Sequence, residues 1–364
     1  MKMNHSLASL LLTTVLMGGS ATTALGQNTV PTTMIIPPSS VANPGDAGVR
    51  AHTNLRYFGP EAFTGTPQVS GPPYPGFLFE TPASLACIYE LQSPSDGCNP
   101  NLVTLNPAGG DRAMAIVDAY DDANAFVDLQ DFSAQFGITP ITSYSFRVVY
   151  APFGGPTGAC TGRFPGPQPP SAGPTGWDLE EALDIEYSHA MAPQAKLYLV
   201  EAQSNYDTDL YCAVSVASTL VAREGGGEIS MGWGGPEYPG ETSADSFFTK
   251  RHVVYFAAAG DGAGVIYPSA SPNVVSVGGT SLSMSLNTGK YLFENTWQLG
   301  GAVRAPMSQG RPTRTVSPKL SAVNAARQTS RRIPIQIRVS GSWIPWSLVP
   351  ERGSTSAAPA WPRP

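Results

Sequence analysis

The amino-acid sequence predicts an α/β protein: a parallel sheet covered by helices on both faces. Three observations predict it. Short apolar runs alternate along the chain with stretches of helical spacing, as βαβ units do. Within these runs apolar residues are consecutive rather than alternate, which is how strands buried on both faces read. The chain is also long enough, at 364 residues with 41% hydrophobic and only 13% charged residues, to bury a sizeable core. The same composition excludes a coiled coil, collagen and a globally disordered chain, although Gly (38) and Pro (35) are abundant.

In chain order, Met114–Val117 is a short strand ending at Asp118, Asn124–Phe136 has helical spacing, and Ser145–Tyr150 is a second strand. Residues 151–176 form a Pro/Gly loop. The stretch from Trp177 to Ala190 sets Leu179, Ala182, Leu183 and Ile185 on a helical stripe, and Pro193 closes it. Leu197–Val200 is a strand and Thr208–Arg223 a helix; Ile229–Trp233, Val253–Ala258 and Val274–Val277 are further strands. No apolar run beyond the N-terminus reaches the ~18 residues of a membrane span, and no internal repeat is visible.

The two ends differ from this body. Lys2, the apolar stretch Leu7–Met17 and the small residues Ala24 and Gly26 read as a secretory signal over residues 1–26. Residues 27–80, rich in Pro, Gly, Thr and Ser, read as a leader wrapping the surface or as the remnant of a pro-segment. Export makes sense of Cys87, Cys98, Cys160 and Cys212 as two disulfides. Three connectivities are possible; the short spacing of Cys87 and Cys98 favours a local bridge, leaving Cys160 with Cys212. No Cys/His spacing marks a zinc site. The formal net charge of -6 averages two unlike segments. Residues 1–300 hold 11 Lys/Arg against 26 Asp/Glu, net -15; residues 301–364 hold 10 Lys/Arg against the single acid Glu351, net +9.

The chemistry-bearing residues begin in the predicted helix. Glu180 and Asp184 stand at i and i+4, so a helix puts both carboxyls on one face. Carboxyls that close raise one another's pKa, and burial raises it further, leaving a group able to hold and pass a proton. Most acidic pairs at this spacing are a solvated surface, and Asp178, Glu181 and Glu186 crowd the same helix. A second feature speaks for function. The apolar strand from Val253 runs into the glycine turn Gly260–Gly264, which presents Asp261, and the chain continues as Tyr267-Pro-Ser-Ala-Ser-Pro-Asn-Val-Val-Ser-Val-Gly-Gly-Thr280.

With the helix and its trailing His189-Ala-Met-Ala-Pro193, with Ala115-Ile-Val-Asp-Ala-Tyr-Asp121 and with Glu228-Ile-Ser-Met-Gly-Trp-Gly-Gly235, these segments resemble the sedolisins in order. These are serine-carboxyl peptidases with a subtilisin-like fold, and the resemblance covers residues 81–300. It implies a subtilisin-like parallel sheet and a secreted endopeptidase acting at acidic pH. Glu180 would be the general base, Asp184 its orienting partner, and Asp261 the protonated acid that donates to the oxyanion. Ser230, Gly232 and Gly234 would lie along the strand that pairs with substrate backbone, glycine allowing close approach. His189, at the helix end, would cap or pack. The expected partners are protein or peptide substrates; neither nucleic acid, a membrane nor a second subunit is called for.

The resemblance stops at Asn295–Gly301, before the nucleophile segment (Gly-Thr-Ser-x-x-x-Pro) and the calcium loop that it calls for. The Arg-rich tail that follows reads as disordered, without apolar periodicity or a core strand. Its codons, taken one nucleotide back, permit family-like text: Gly353–Pro364 can encode a segment ending Gly-Gly-Thr-Ser-Leu-Ala-Thr-Pro. The expectation is therefore a one-nucleotide frameshift near Gly301, a fold truncated before the nucleophile helix, and no calcium site or other metal or cofactor in this chain. In the present frame Gly353-Ser-Thr-Ser356-Ala-Ala-Pro359 imitates the nucleophile segment, but its Pro comes one residue early and its flanks do not fit. Two other readings compete with an inactive peptidase: a secreted non-catalytic peptide binder, and a basic polyanion-binding arm over 301–364. Export and the absence of clustered Lys or interleaved aromatics weigh against the second.

Overall fold

In the computed structural model the described residues are 34–58, 81–91, 99, 105–262, 264–284, 291–296, 301, 335–339 and 342–346. The expected signal over 1–26, Cys98 and Ser356 lie outside them, as does most of the tail.

Six strands form one parallel sheet: β1 (Ala113–Ala119), β2 (Phe146–Tyr150), β3 (Lys196–Ala202), β4 (Gly227–Met231), β5 (Val253–Ala258) and β6 (Val275–Val277). Their spatial order is β6-β5-β4-β1-β3-β2, so β1 is central, between β3 and β4. Four helices accompany them: α1 (Pro82–Ile88), α2 (Ala125–Phe136), α3 (Trp177–Met191) and α4 (Asp207–Arg223). The α/β class and the parallel sheet with helices on both faces are as the sequence predicts, in keeping with a subtilisin-like arrangement.

Strand parity sorts the core into two layers. Ala113, Ala115, Val117 and Ala119 of β1, with Tyr198, Val200 and Ala202 of β3, pack with Leu210, Ala213, Val214 and Ala217 of α4. Met114 and Ile116, with Leu197 and Leu199, pack on the other face with Leu129 of α2 and Ile185 of α3. Every residue of β1 is buried, which is why it reads as an apolar run from Ala113 to Val117. By the same parity Asp118 and Glu201, at the C-terminal ends of β1 and β3, turn toward the α2/α3 side. That end of a parallel sheet is where its ligand crevice lies.

The Cys160–Cys212 disulfide ties the loop after β2 to α4. Cys87 is also disulfide-bonded; its expected partner Cys98 lies outside the described residues. For the tail the sequence predicts disorder and no core strand; a two-stranded pairing is found within it. Ile335–Val339 pairs antiparallel with Ser342–Trp346, and Trp346 meets Tyr57 of the leader. The overlooked signal is the alternation of Ile335, Ile337 and Val339 with Gln336 and Arg338, the period of a strand with one apolar face.

Candidate active site

Helix α3 carries an acidic sequence into the interior. All of its residues except Asp178 are buried, with Glu180 4% and Asp184 1% exposed. This removes the solvated-surface interpretation of the pair, because a carboxyl without water must be neutralised or hydrogen-bonded. The helix begins at Gly176, whose φ of 81° suits glycine, and a Cβ there would come 2.8 Å from the Pro37 side chain. Asp178 and Glu180 fall in the first turn, where the helix dipole favours negative charge. His189, in the last turn, has its Nε2 2.8 Å from the Thr139 carbonyl oxygen, and burial lowers its pKa. It packs there, as expected.

Further carboxyls meet this helix from the end of the sheet. Glu181 is fully buried, and neither of its carboxyl oxygens has a hydrogen-bond partner among the described residues. Burial, then the charges of Glu201, Asp118, Asp122 and Asp178, push its pKa well above the ordinary value. Glu201 is raised to about 10, first by burial and then by the charge of Asp121. Asp122 is raised to about 7 by burial. The Asp122 N–H donates to Glu201 Oε1 at 3.3 Å, and Gln168 Nε2 donates to Asp121 Oδ2 at 2.8 Å. Such a nest holds protons at a pH where ordinary carboxyls have lost them. Sequence reasoning passed over Glu181 and Glu201. The available signal was an acid ending an apolar strand at the same level as Asp118.

Asp261 lies in the turn after β5, and the cleft it lines includes no residue of α3. Of about 260 Å³, this cleft is also lined by Gly260, Gly262 and Ile266, and opposite them stand His52, Asn54 and Arg56 of the leader. Burial raises its pKa to about 7 against the opposing pull of the Arg56 guanidinium. Its charged neighbour is thus a cation, whereas Glu181 on α3 faces other acids.

Ser230 is buried on β4, and Gly232 and Gly234 are buried in the segment that follows it. Trp233 locks this segment to the sheet by donating from Nε1 to the Val117 carbonyl at 2.6 Å. A Cβ on Gly234 would come 2.4 Å from the Ile266 side chain and 3.0 Å from the Tyr267 carbonyl oxygen. On its backbone side Gly234 is paired with His52 of the leader. The expected substrate edge is therefore filled by the chain itself, which the low periodicity of residues 27–80 did not announce. Among the described residues no group of three or more His, Cys, Asp or Glu side chains is disposed to hold a metal ion, and no helix is long and apolar enough to cross a membrane.

No protein-family model matches this chain. Among solved structures it is similar to the prenylagaramide maturation protease PagA, with a TM-score of 0.30 and 15% identity, over 65% of this chain and 70% of that one. In sequence it is similar to kumamolisin from Bacillus sp. (strain MN-32), at 27% identity over 237 residues, which is 60% of this chain and 37% of kumamolisin. The chain thus spans little more than a third of that relative's length. Kumamolisin is a sedolisin family member, and the likeness of this chain is to a sedolisin-like family.

Proposed function

We propose that this chain derives from a secreted serine-carboxyl endopeptidase of the sedolisin type that hydrolyses proteins at acidic pH. In this reading Glu180 takes the proton of a serine hydroxyl as its oxygen attacks the scissile carbonyl. Asp184 orients Glu180, and protonated Asp261 donates a hydrogen bond to the oxyanion. Ser230, Gly232 and Gly234 lie along the edge that pairs with the substrate backbone. The observation that carries this reading is the burial of Glu180 and Asp184 one turn apart on α3. Support also comes from the likeness to kumamolisin and from Asp261, whose raised pKa keeps it a hydrogen-bond donor in acid. The resemblance implies calcium as well; among the described residues no group of three or more His, Cys, Asp or Glu side chains is disposed to hold it.

The polypeptide of these 364 residues has no serine in a fitting nucleophile segment, and it is expected to turn over little or no substrate, since losing one member of a unit that acts together removes nearly all covalent catalysis. The test compares this polypeptide with one whose reading frame is shifted back near codons 295–305, using an unfolded protein substrate near pH 4. The restored chain should hydrolyse it, with rates falling about 100-fold or more in Glu180→Gln, Asp184→Asn and Asp261→Asn. Turnover by the present polypeptide that Ser356→Ala abolishes would overturn its inactivity. A restored chain that binds peptide without cleaving it would be a non-catalytic binder instead.

A further inference from the structure

The turn that presents Asp261 has few side chains of its own to hold it. Gly260 and Gly264 take φ of 94° and 117°, in the left-handed region that favours glycine, and a Cβ on Gly262 would meet nothing within 4 Å. A turn built this way is not fixed by its own packing, so its fixed points come from other segments. At its entrance the Ala259 N–H donates to the Val277 carbonyl of β6 at 2.9 Å. At its exit Ile266 and Tyr267 pair antiparallel with Pro236 and Gly235. Both moorings stand outside residues 260–264.

A third mooring falls beside Asp261 itself. Gly301, which is buried, donates its N–H to the Gly260 carbonyl at 2.8 Å. This bond fixes the plane of the trans peptide between Gly260 and Asp261, a plane that includes the Asp261 Cα from which the carboxyl springs. Position 301 also has no room for a side chain. A Cβ there would fall against the Ala259 carbonyl oxygen, 2.8 Å from that carbonyl's carbon and 3.0 Å from the Gly264 carbonyl oxygen. These are main-chain atoms at the two ends of the turn, so no side-chain rotation relieves the crowding and the turn itself must move. Gly301 is not among the residues that line the Asp261 cleft; it acts on the turn through the backbone alone.

We propose that Gly301 is a positioning residue for Asp261: its N–H and its lack of a side chain hold the Gly260–Asp261 peptide so that the carboxyl stays in its buried place at the cleft. The bearing of this on catalysis rests on the reading of Asp261 as the oxyanion acid. The titratable and charged groups that line the cleft with this carboxyl are His52 and Arg56 of the leader. Burial is the main cause of the raised Asp261 pKa, about 7, so a turn pushed out of place admits water to the carboxyl and brings that value down.

The test uses the full chain carrying Gly301→Ala, read by carboxyl-carbon NMR titration with Asp261→Asn identifying the resonance. The Asp261 midpoint should fall from about 7 by roughly one pH unit or more, a tenfold change in proton affinity, while Glu201 keeps its raised pKa of about 10. An Asp261 midpoint that does not move in the folded variant would overturn the proposal and leave the peptidase reading standing, since turnover by the chain with the shifted frame tests that reading separately. A displacement of Glu201 as large as that of Asp261 would also overturn it, because the substitution would then loosen the whole end of the sheet rather than the turn. Should the variant fail to fold by circular dichroism, hydrogen exchange at the Gly301 amide of the unaltered chain decides. Exchange slowed about 100-fold or more relative to an unstructured peptide is expected of a buried, bonded N–H; exchange at the unstructured rate would overturn the proposal.

Discussion

The C-terminal end of the sheet carries two unlike settings for buried acids. On the α3 side, Glu181 and Glu201 are fully buried among Asp118, Asp121, Asp122 and Asp178, so each carboxyl's charged neighbours are other acids. On the β5 side, Asp261 is also raised by burial, but it stands beside the Arg56 guanidinium. Burial and like charge act together in the first case, and Glu201 keeps its proton to about pH 10. In the second case a cation offsets part of the burial, and Asp261 changes state near pH 7. The difference teaches that burial sets the direction of both shifts, while the sign of the nearest charge decides whether a carboxyl is a permanent proton store or a switch in the physiological range.

The largest expected effect comes from breaking the acid group. Because the folded-state pKa of Glu201 lies above the ordinary value of 4.5, its neutral form contributes stability that is whole below about pH 4. That stability is lost progressively as pH rises toward 10. The protein should accordingly be more resistant to urea at pH 4 than at pH 8. In the double variant Glu181→Gln/Glu201→Gln, on the order of 3–5 kcal/mol of the loss between those two pH values should disappear. Denaturation midpoints at several pH values measure it. An unchanged pH slope would mean that these two carboxyls are not the store.

Much of this was legible in the chain. The continuous apolar runs of β1, β3 and β5 named the parallel sheet, because a strand covered on both faces has no polar side to show. The spacing of Glu180 and Asp184 placed them on one helix face, but spacing alone could not say whether that face meets water, and only the tertiary packing of α3 buried it. Glu181 and Glu201 were illegible for a related reason: they sit 20 residues apart in sequence, and the crossing of α3 over the end of β3 brings them together. The leader's course was hidden because its anchors, Ser39, Ser40 and Thr53, are loop-type residues, and its pairing with Gly234 is backbone to backbone. Such pairing leaves no mark on side-chain pattern.

The glycine edge gives a smaller break on the Asp261 side. Gly234→Ala would bring a methyl within 2.4 Å of Ile266 Cδ1 and 3.0 Å of the Tyr267 carbonyl oxygen. The first contact is with the end of a movable side chain, the second with backbone, so part of the crowding must be taken up by shifting the 266–267 segment away. A loss of about 1–3 kcal/mol is expected in urea denaturation, together with faster hydrogen exchange at His52. The acid group should keep its pH dependence in this variant, because the groups that shift Glu181 and Glu201 lie on other segments.

The smallest expected effect is also the sharpest discriminator. Arg56 is the cation that lowers the Asp261 pKa, so Arg56→Gln should move the Asp261 midpoint upward from about 7. A half-exposed charge acting across a wet cleft is worth up to about 1 kcal/mol, less than one pH unit. Carboxyl-carbon NMR titration would resolve such a displacement, with Asp261→Asn identifying the resonance. Glu201 should not respond, since its neighbours are Asp121 and Asp122 rather than the leader. If Arg56→Gln shifted Glu201 and left Asp261 where it was, the two settings would be one electrostatic unit, and the distinction between store and switch would fail. A shift confined to Asp261 means that Arg56, from the other side of the cleft, holds this carboxyl closer to its ionised state than burial alone would.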